Sequence, residues 1–197
     1  PPPVVEEPVA EEEVVKVFLT PPTGSVQPSN NGLFRPQANP YFVTPLDLAH
    51  KLERTIHASH DLPWPRNVRN LLFTGPRGAG KTSLGLQIAA RLGKDPKRPG
   101  NGSCYIAPCS TMQEGAQWWG SQGVSPERGT YYVESGFVKA CETPGCTIIL
   151  DDMNRTENPK VLNPLFLILD QDIREAMIDE LGRRLRIADG VIFVATI

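Results

Sequence analysis

Cysteine is scarce, with 4 in 197 residues, too few for a disulfide scaffold and in keeping with a reducing compartment. Histidine is scarcer still at 3. No apolar run approaches the ~18 residues of a membrane span. No basic region precedes an apolar stretch at the N-terminus, so no secretory signal is expected, and the cytoplasm is the predicted location. Net basic charge is also lacking. Twenty Lys+Arg stand against 22 Asp+Glu, and the sequence pI is near 6.0, which argues against binding nucleic acid through bulk charge. No N-K-x-D base-reading motif and no LSGGQ-like run appear, which argues against GTPase and ABC-transporter chemistry.

What is present divides unevenly along the chain. Residues 1–13 read PPPVVEEPVAEEE; the first 20 hold five Glu and one Lys, a charge of −4, and the remainder is at +2. Residues 1–39 therefore read as an acidic, proline-rich tail or linker, or as a docking segment for a partner. The globular part is expected over 40–197. Thr44-Pro45-Leu46-Asp47 is a helix-start signature, and Leu48, Leu52 and Ile56 recur at helical spacing, predicting a helix over 45–60. His50, His57 and His60 fall on it; a polar surface is favoured over a metal site because no carboxylate cluster completes a ligand set.

The chemistry centres on Asn70–Thr74, an apolar strand, followed by Gly75-Pro76-Arg77-Gly78-Ala79-Gly80-Lys81-Thr82 and then Ser83. This is G-x-x-x-x-G-K-[ST] without a mismatch. Leu84, Ile88 and Leu92 continue at helical spacing, with Gly93 as the expected stop. Glycines in such a loop let successive N–H groups converge on phosphate oxygens, and the helix N-terminus adds its unpaired donors. Lys81 would reach the β/γ-phosphates of ATP, and the Thr82 hydroxyl would ligate Mg²⁺. A second apolar strand, Thr147–Leu150, ends in Asp151-Asp152. Acids at the end of a buried run are costly unless they meet a cation. Asp151 would hold Mg²⁺ and Asp152 would orient the attacking water.

The stretch IILDDMNRTENPKVLNPLFLILDQ resembles the Walker B region of the MoxR-type branch of the AAA+ ATPases, which includes midasin- and dynein-related modules. Asp151, Asn154, Arg155, Pro159, Lys160 and Val161 match that branch residue by residue. The resemblance covers roughly residues 68–197. It implies an α/β P-loop core with a parallel sheet in the order 5-1-4-3-2. Strands are expected near 70–74, 103–108, 147–151 and 191–197, with strand 5, the arginine finger and the helical lid lying beyond Ile197. It also implies a helix starting over Thr111–Trp119, a β-hairpin inserted over Gly120–Val133, a helical return over Ser135–Pro144, and a second hairpin over Ala176–Ile187 turning at Gly182. Three departures are visible. The branch's catalytic Glu is Asp152 here, one methylene shorter, so slow hydrolysis is expected. Pro164 should kink or restart the helix after Walker B. The sensor's polar residue would follow Ile197.

The implied function is Mg-ATP binding and hydrolysis in a ring, a hexamer in this branch, acting on a protein complex. The alternatives are a tightly binding, slowly hydrolysing assembly subunit and a nucleic-acid motor. Arg155 is expected at a subunit interface or in a local ion pair. Arg183-Arg184 would face a neighbouring subunit or solvent. Trp118 and Trp119, beside the first hairpin with Tyr131 and Tyr132, are expected either as a substrate loop gripping a polypeptide or as a small satellite core. Tyr41 and Phe42 are expected near the adenine. Cys104, Cys109, Cys141 and Cys146 form two C-x₄-C pairs. Plain buried thiols, a reactive Cys104/Cys146 pair and a zinc site are the readings, and the ~15 Å between Cys104 and Cys109 along one strand opposes the last.

Overall fold

A computed structural model describes residues 32–60, 68–94, 102–127 and 129–197. The expectations for residues 1–31, including the tail, lie outside the described residues.

Four strands form the parallel sheet: β1 (Asn70–Phe73), β2 (Cys104–Pro108), β5 (Thr147–Asp151) and β8 (Ile192–Thr196), in the order β1-β8-β5-β2. Numbered by their place in the family core, this is the expected 1-4-3-2. The central strands β5 and β8 are apolar on both faces, as a sheet covered on both sides requires. β5 and β8 align Ile149 with Val194 and Leu150 with Ala195. A single bridge between Phe34 and Cys104 extends the β2 edge.

On one face lie α1 (Leu46–His60) and α2 (Lys81–Leu92). Gly85 allows α2 to approach the sheet, since a Cβ there would stand 3.2 Å from Ile149 Cδ1. Gly93 caps α2 with φ −67°, not in the left-handed conformation expected of a helix-stopping glycine. Its role is close approach: an added Cβ would meet the Gly102 backbone at 2.9 Å.

The other face departs further from expectation. No helix spans Thr111–Trp119. Two 3₁₀ turns, Cys109–Thr111 and Gly115–Trp118, stand there instead. Glu114 and Gln117 close a capping box around the second, which satisfies its end groups without a longer helix. The inserted hairpin follows as β3 (Gly120–Ser125) and β4 (Gly129–Glu134), and α3 (Gly136–Glu142) returns with Ser135 as its N-cap. After β5, the 3₁₀ turn Pro159–Leu162 ends before Pro164, and the chain restarts as α4 (Leu165–Leu169). The second hairpin, β6 (Glu175–Ile178) and β7 (Arg183–Arg186), turns through Gly182 at φ 58° as expected.

The aromatic pair corrects a sequence expectation. Trp118 is fully buried and Trp119 is 8% exposed, so neither can grip a polypeptide. Both pack on Phe137, with the Trp118 and Phe137 ring centroids 4.7 Å apart in an edge-to-face arrangement. Trp118 Nε1 donates to the Val161 carbonyl at 2.8 Å, the partner a buried indole N–H needs. They belong to the main core of this face, not to a satellite under the hairpin.

Candidate functional site

The phosphate loop emerges from β1 at the C-terminal end of the sheet, where ligands of open α/β folds bind. Gly78 and Gly80 adopt φ of +80° and +79°, the left-handed region that side chains resist. Those two residues turn the chain so that Lys81 opens α2. Lys81 Nζ donates to the Gly75 and Pro76 carbonyls at 2.9 and 3.0 Å, folding back over its own loop. Ala79 N–H closes the turn on the Pro76 carbonyl at 3.2 Å.

Across from the loop, the Asp151 carboxylate is held by two hydroxyls on its Oδ1. Thr82 Oγ1 donates at 2.5 Å and Thr196 Oγ1 at 2.9 Å. Thr196 Oγ1 also accepts from the Asp152 backbone N–H at 2.9 Å. This buried threonine therefore ties both acids to the end of β8. Sequence reasoning missed it, although a polar residue ending the apolar run Val191–Ala195 was the available signal. Asp152 itself has φ 52° and ψ 48°, a left-handed conformation uncommon outside glycine. Its Oδ2 lies 3.1 Å from Arg155 Nη1, the local ion pair that was one of two expectations for Arg155.

Arg77, Gly78, Gly80, Lys81, Thr82, Ser83, Asp151, Asp152 and Arg155 together line an open cleft of about 340 Å³. Gly75, Pro76 and Ala79 shape the loop behind it. Phe42 lies against Gly80, its Cε2 about 3.5 Å from where a Cβ would stand. The donor set fits Mg-ATP. The cations Arg77, Lys81 and Arg155 suit phosphate oxygens, and a hydroxyl beside a carboxylate suits a hard divalent cation.

The thiols do not take part. Burial, then the Asp151 carboxylate, pushes the Cys109 thiol up to about 12, so it stays protonated beneath the acids. Strand register pairs Cys104 with Thr147, which puts Cys146 one residue out of step. The two thiols enter different core layers, which removes the reactive-pair reading. Among the described residues, no three potential ligands gather to hold a metal, so the zinc reading has no support there; the side chains of His57 and His60 lie outside the described residues.

The family model for the AAA domain of the dynein-related subfamily matches residues 70–196, from the first residue of β1 to the last of β8. The chain belongs to the dynein-related AAA family. Its fold is the AAA+ P-loop core, with the glycine loop and the paired acids at the strand ends. A Thauera aromatica protein, BssE, described as a candidate chaperone, is 36% identical over 173 residues. The match takes in 85% of this chain, which spans 53% of that protein's length. Among solved structures, NtrX of Brucella abortus aligns with a TM-score of 0.47 at 14% identity, over 79% of this chain and 31% of its own. The closed state of Hsp104 with ATPγS and casein aligns with a TM-score of 0.47 at 16% identity, over 78% and 29%. At that level neither bears on function. No helix among the described residues is long and apolar enough to cross a membrane.

Proposed function

We propose that this AAA domain binds and hydrolyses Mg-ATP within a ring, hexameric in assembly, and that turnover drives the remodelling, assembly or activation of a protein complex in the cytoplasm. The observation that carries the reading is the contact of Thr82 with Asp151 across the cleft mouth. It joins the phosphate loop of one strand to the acid of another, with Lys81 beside it.

In this reading Lys81 leaves the Gly75 and Pro76 carbonyls and takes phosphate oxygens. Thr82 and Asp151 hold the Mg²⁺, which neutralises phosphate charge when bound. Asp152 orients water, and the backbone of Gly75 through Ser83 cradles the phosphates. A protein client is supported by the candidate-chaperone description of the relative and by exposed apolar side chains on the first hairpin, where Val124 is 79% and Tyr131 38% exposed. The client-facing aromatic is thus Tyr131 and not the tryptophan pair.

The test is titration calorimetry with ATP and ADP in the presence of Mg²⁺. Removing one charge-assisted contact costs roughly 1.5–3 kcal/mol, so Lys81→Ala should bind on the order of 10- to 100-fold more weakly. Equal binding by both proteins would sink the phosphate-loop assignment.

A second reading, a tightly binding and slowly hydrolysing assembly subunit, is favoured by one feature. The short Asp152 carboxylate is occupied by Arg155. Asp152→Glu separates the two: a gain of about tenfold or more in steady-state hydrolysis is expected if reach limits the native site. No gain would leave rapid native turnover as the better description. Arg155 is proposed to exchange its Asp152 contact for a neighbouring subunit in the ring.

A further inference from the structure

A second polar cleft, of about 280 Å³, lies at the opposite end of the sheet from the phosphate loop, where β1 and β8 begin. Arg69 enters it from the approach to β1, Asp172 and Arg174 from the turn before β6, Arg186 from the end of β7, and Asp189 from the turn before β8. Three guanidiniums thus share one cleft with two carboxylates.

Arg174 is its buried base, 4% exposed, a rare environment for arginine. It has φ 45°, a strained left-handed conformation for a non-glycine residue. Its Nη2 donates to the Val191 carbonyl at 3.2 Å, and its guanidinium carbon lies 5.9 Å from the Phe193 ring centroid. Burial, then the nearby Arg69 charge, brings the Arg174 guanidinium down to about 10, while Asp189 pulls the other way. Burial likewise lowers Arg69. The fold therefore holds two guanidiniums within each other's field where water is partly excluded. Guanidinium–carboxylate pairing is bidentate and strengthens in such a setting. With Asp172 and Asp189 in the lining, single-charged carboxylates suit the cleft better than dianionic phosphate.

We propose that this cleft receives glutamate carboxylates of an acidic peptide segment, and that the run Glu6–Glu13 of this chain is the occupant. The charges are complementary, −4 over residues 1–20 against +2 over the remainder. The distance is short. Gly32 and Phe34 sit against β2, three strand spacings from β1, or about 14 Å. The stretch from Glu13 to Gly32 can span about 60 Å when extended.

Tryptic cleavage after Lys16 reads the occupancy directly in the full chain. Lys16 adjoins the acidic run, and the next basic residue, Arg35, precedes a proline and resists trypsin. At low ionic strength, Arg69→Gln and Arg186→Gln should each speed Lys16 cleavage about threefold or more. An excess of free peptide spanning residues 4–13 should do the same to the unaltered chain. Unchanged Mg-ATP affinity and thermal midpoint check that Arg186→Gln, a change at an exposed residue, leaves the fold intact. Protection independent of protein concentration assigns the cleft to the chain's own run. Protection that grows with concentration assigns it to the run of a neighbouring copy, with the same carboxylate chemistry. Equal cleavage rates in the unaltered chain, both variants and the peptide mixture would overturn the proposal.

Discussion

On one face of the sheet, α1 and α2 lay Ile56, Ile88, Ala89 and Leu92 against Cys104, Ile149, Ile192 and Val194. On the other, two hairpins, α3, α4 and a series of 3₁₀ turns gather Trp118, Trp119, Phe137, Leu165, Ile178 and Leu185 around Ile148 and Leu150. The first face is aliphatic and covered by continuous helices, each bonded within itself. The second is aromatic and covered by short pieces whose polar groups find partners across the chain, as Trp118 does at Val161 and Ser135 Oγ does at the Trp118 carbonyl, at 2.5 Å. Regular helices need only a stripe of small aliphatic side chains to bury. Irregular cover leaves larger gaps, and bulky rings with a polar handle fill them.

The largest expected effect tests that contrast. Trp118→Ala should destabilise by about 3–5 kcal/mol through the cavity, and more through the orphaned Val161 carbonyl, while Ile88→Ala on the helical face should cost about 2–4 kcal/mol. Urea unfolding of both variants checks the order. A Trp118→Ala cost no greater than that of Ile88→Ala would break the comparison.

Next is alkaline stability. Tyr105, Cys109, Tyr132 and Cys141, all on the hairpin face, have raised pKa values with burial as the first cause. For Cys109 the folded value is about 12 against an ordinary 9.0. Between those values the unfolded chain releases the proton and the folded chain keeps it. The contribution is present below pH 9 and is lost as pH rises through 12, by no more than about 1.4 kcal/mol per pH unit. Cys109→Ala should flatten the loss of urea midpoint above pH 9; an unchanged slope would remove Cys109 from the account.

The smallest effect sharpens the comparison at the surface. Arg183 joins the two hairpin systems, with Nη2 2.6 Å from Glu134 and Nη1 2.5 Å from Glu142. The group is about a third exposed, so Arg183→Ala should cost only about 0.5–1 kcal/mol globally. Hydrogen exchange should nonetheless quicken in β4 and α3 and stay unchanged in α2.

The same contrast decides what could be read from sequence. Helix α1, the phosphate loop, α2 and the four sheet strands each obey a local rule of spacing, capping or glycine placement, and each stands within a residue or two of expectation. Both hairpins were also legible, through a resemblance and through Gly182. Apart from the conformation of Gly93 at the end of α2, the failures of placement fall on the irregular face. The aromatic pair Trp118-Trp119 suits a substrate loop as well as a core, because periodicity is silent about which neighbour covers a 3₁₀ turn. At the nucleotide end, Lys81, Thr82, Asp151 and Asp152 were identifiable from their motifs and converge. Thr196 escaped because its role is set by register: it reaches Asp151 only once β8 lies parallel to β5 with Leu150 beside Ala195.

That strand order has a consequence for synthesis on the ribosome. Among the described strands, β1 is hydrogen-bonded to β8 alone, and β8 is the last of them to be made. The phosphate loop therefore leaves the exit tunnel long before its own strand has a neighbour. β2 and β5 can pair in the interval, since the chain between them is local by comparison. The ability to hold nucleotide should thus arrive late and abruptly, when β8 slides between β5 and β1 and brings Thr196 to the acids. Nascent chains stalled before residue 191 would carry the complete Gly75–Ser83 loop while β1 still lacks β8 to join it to the β2–β5 pair.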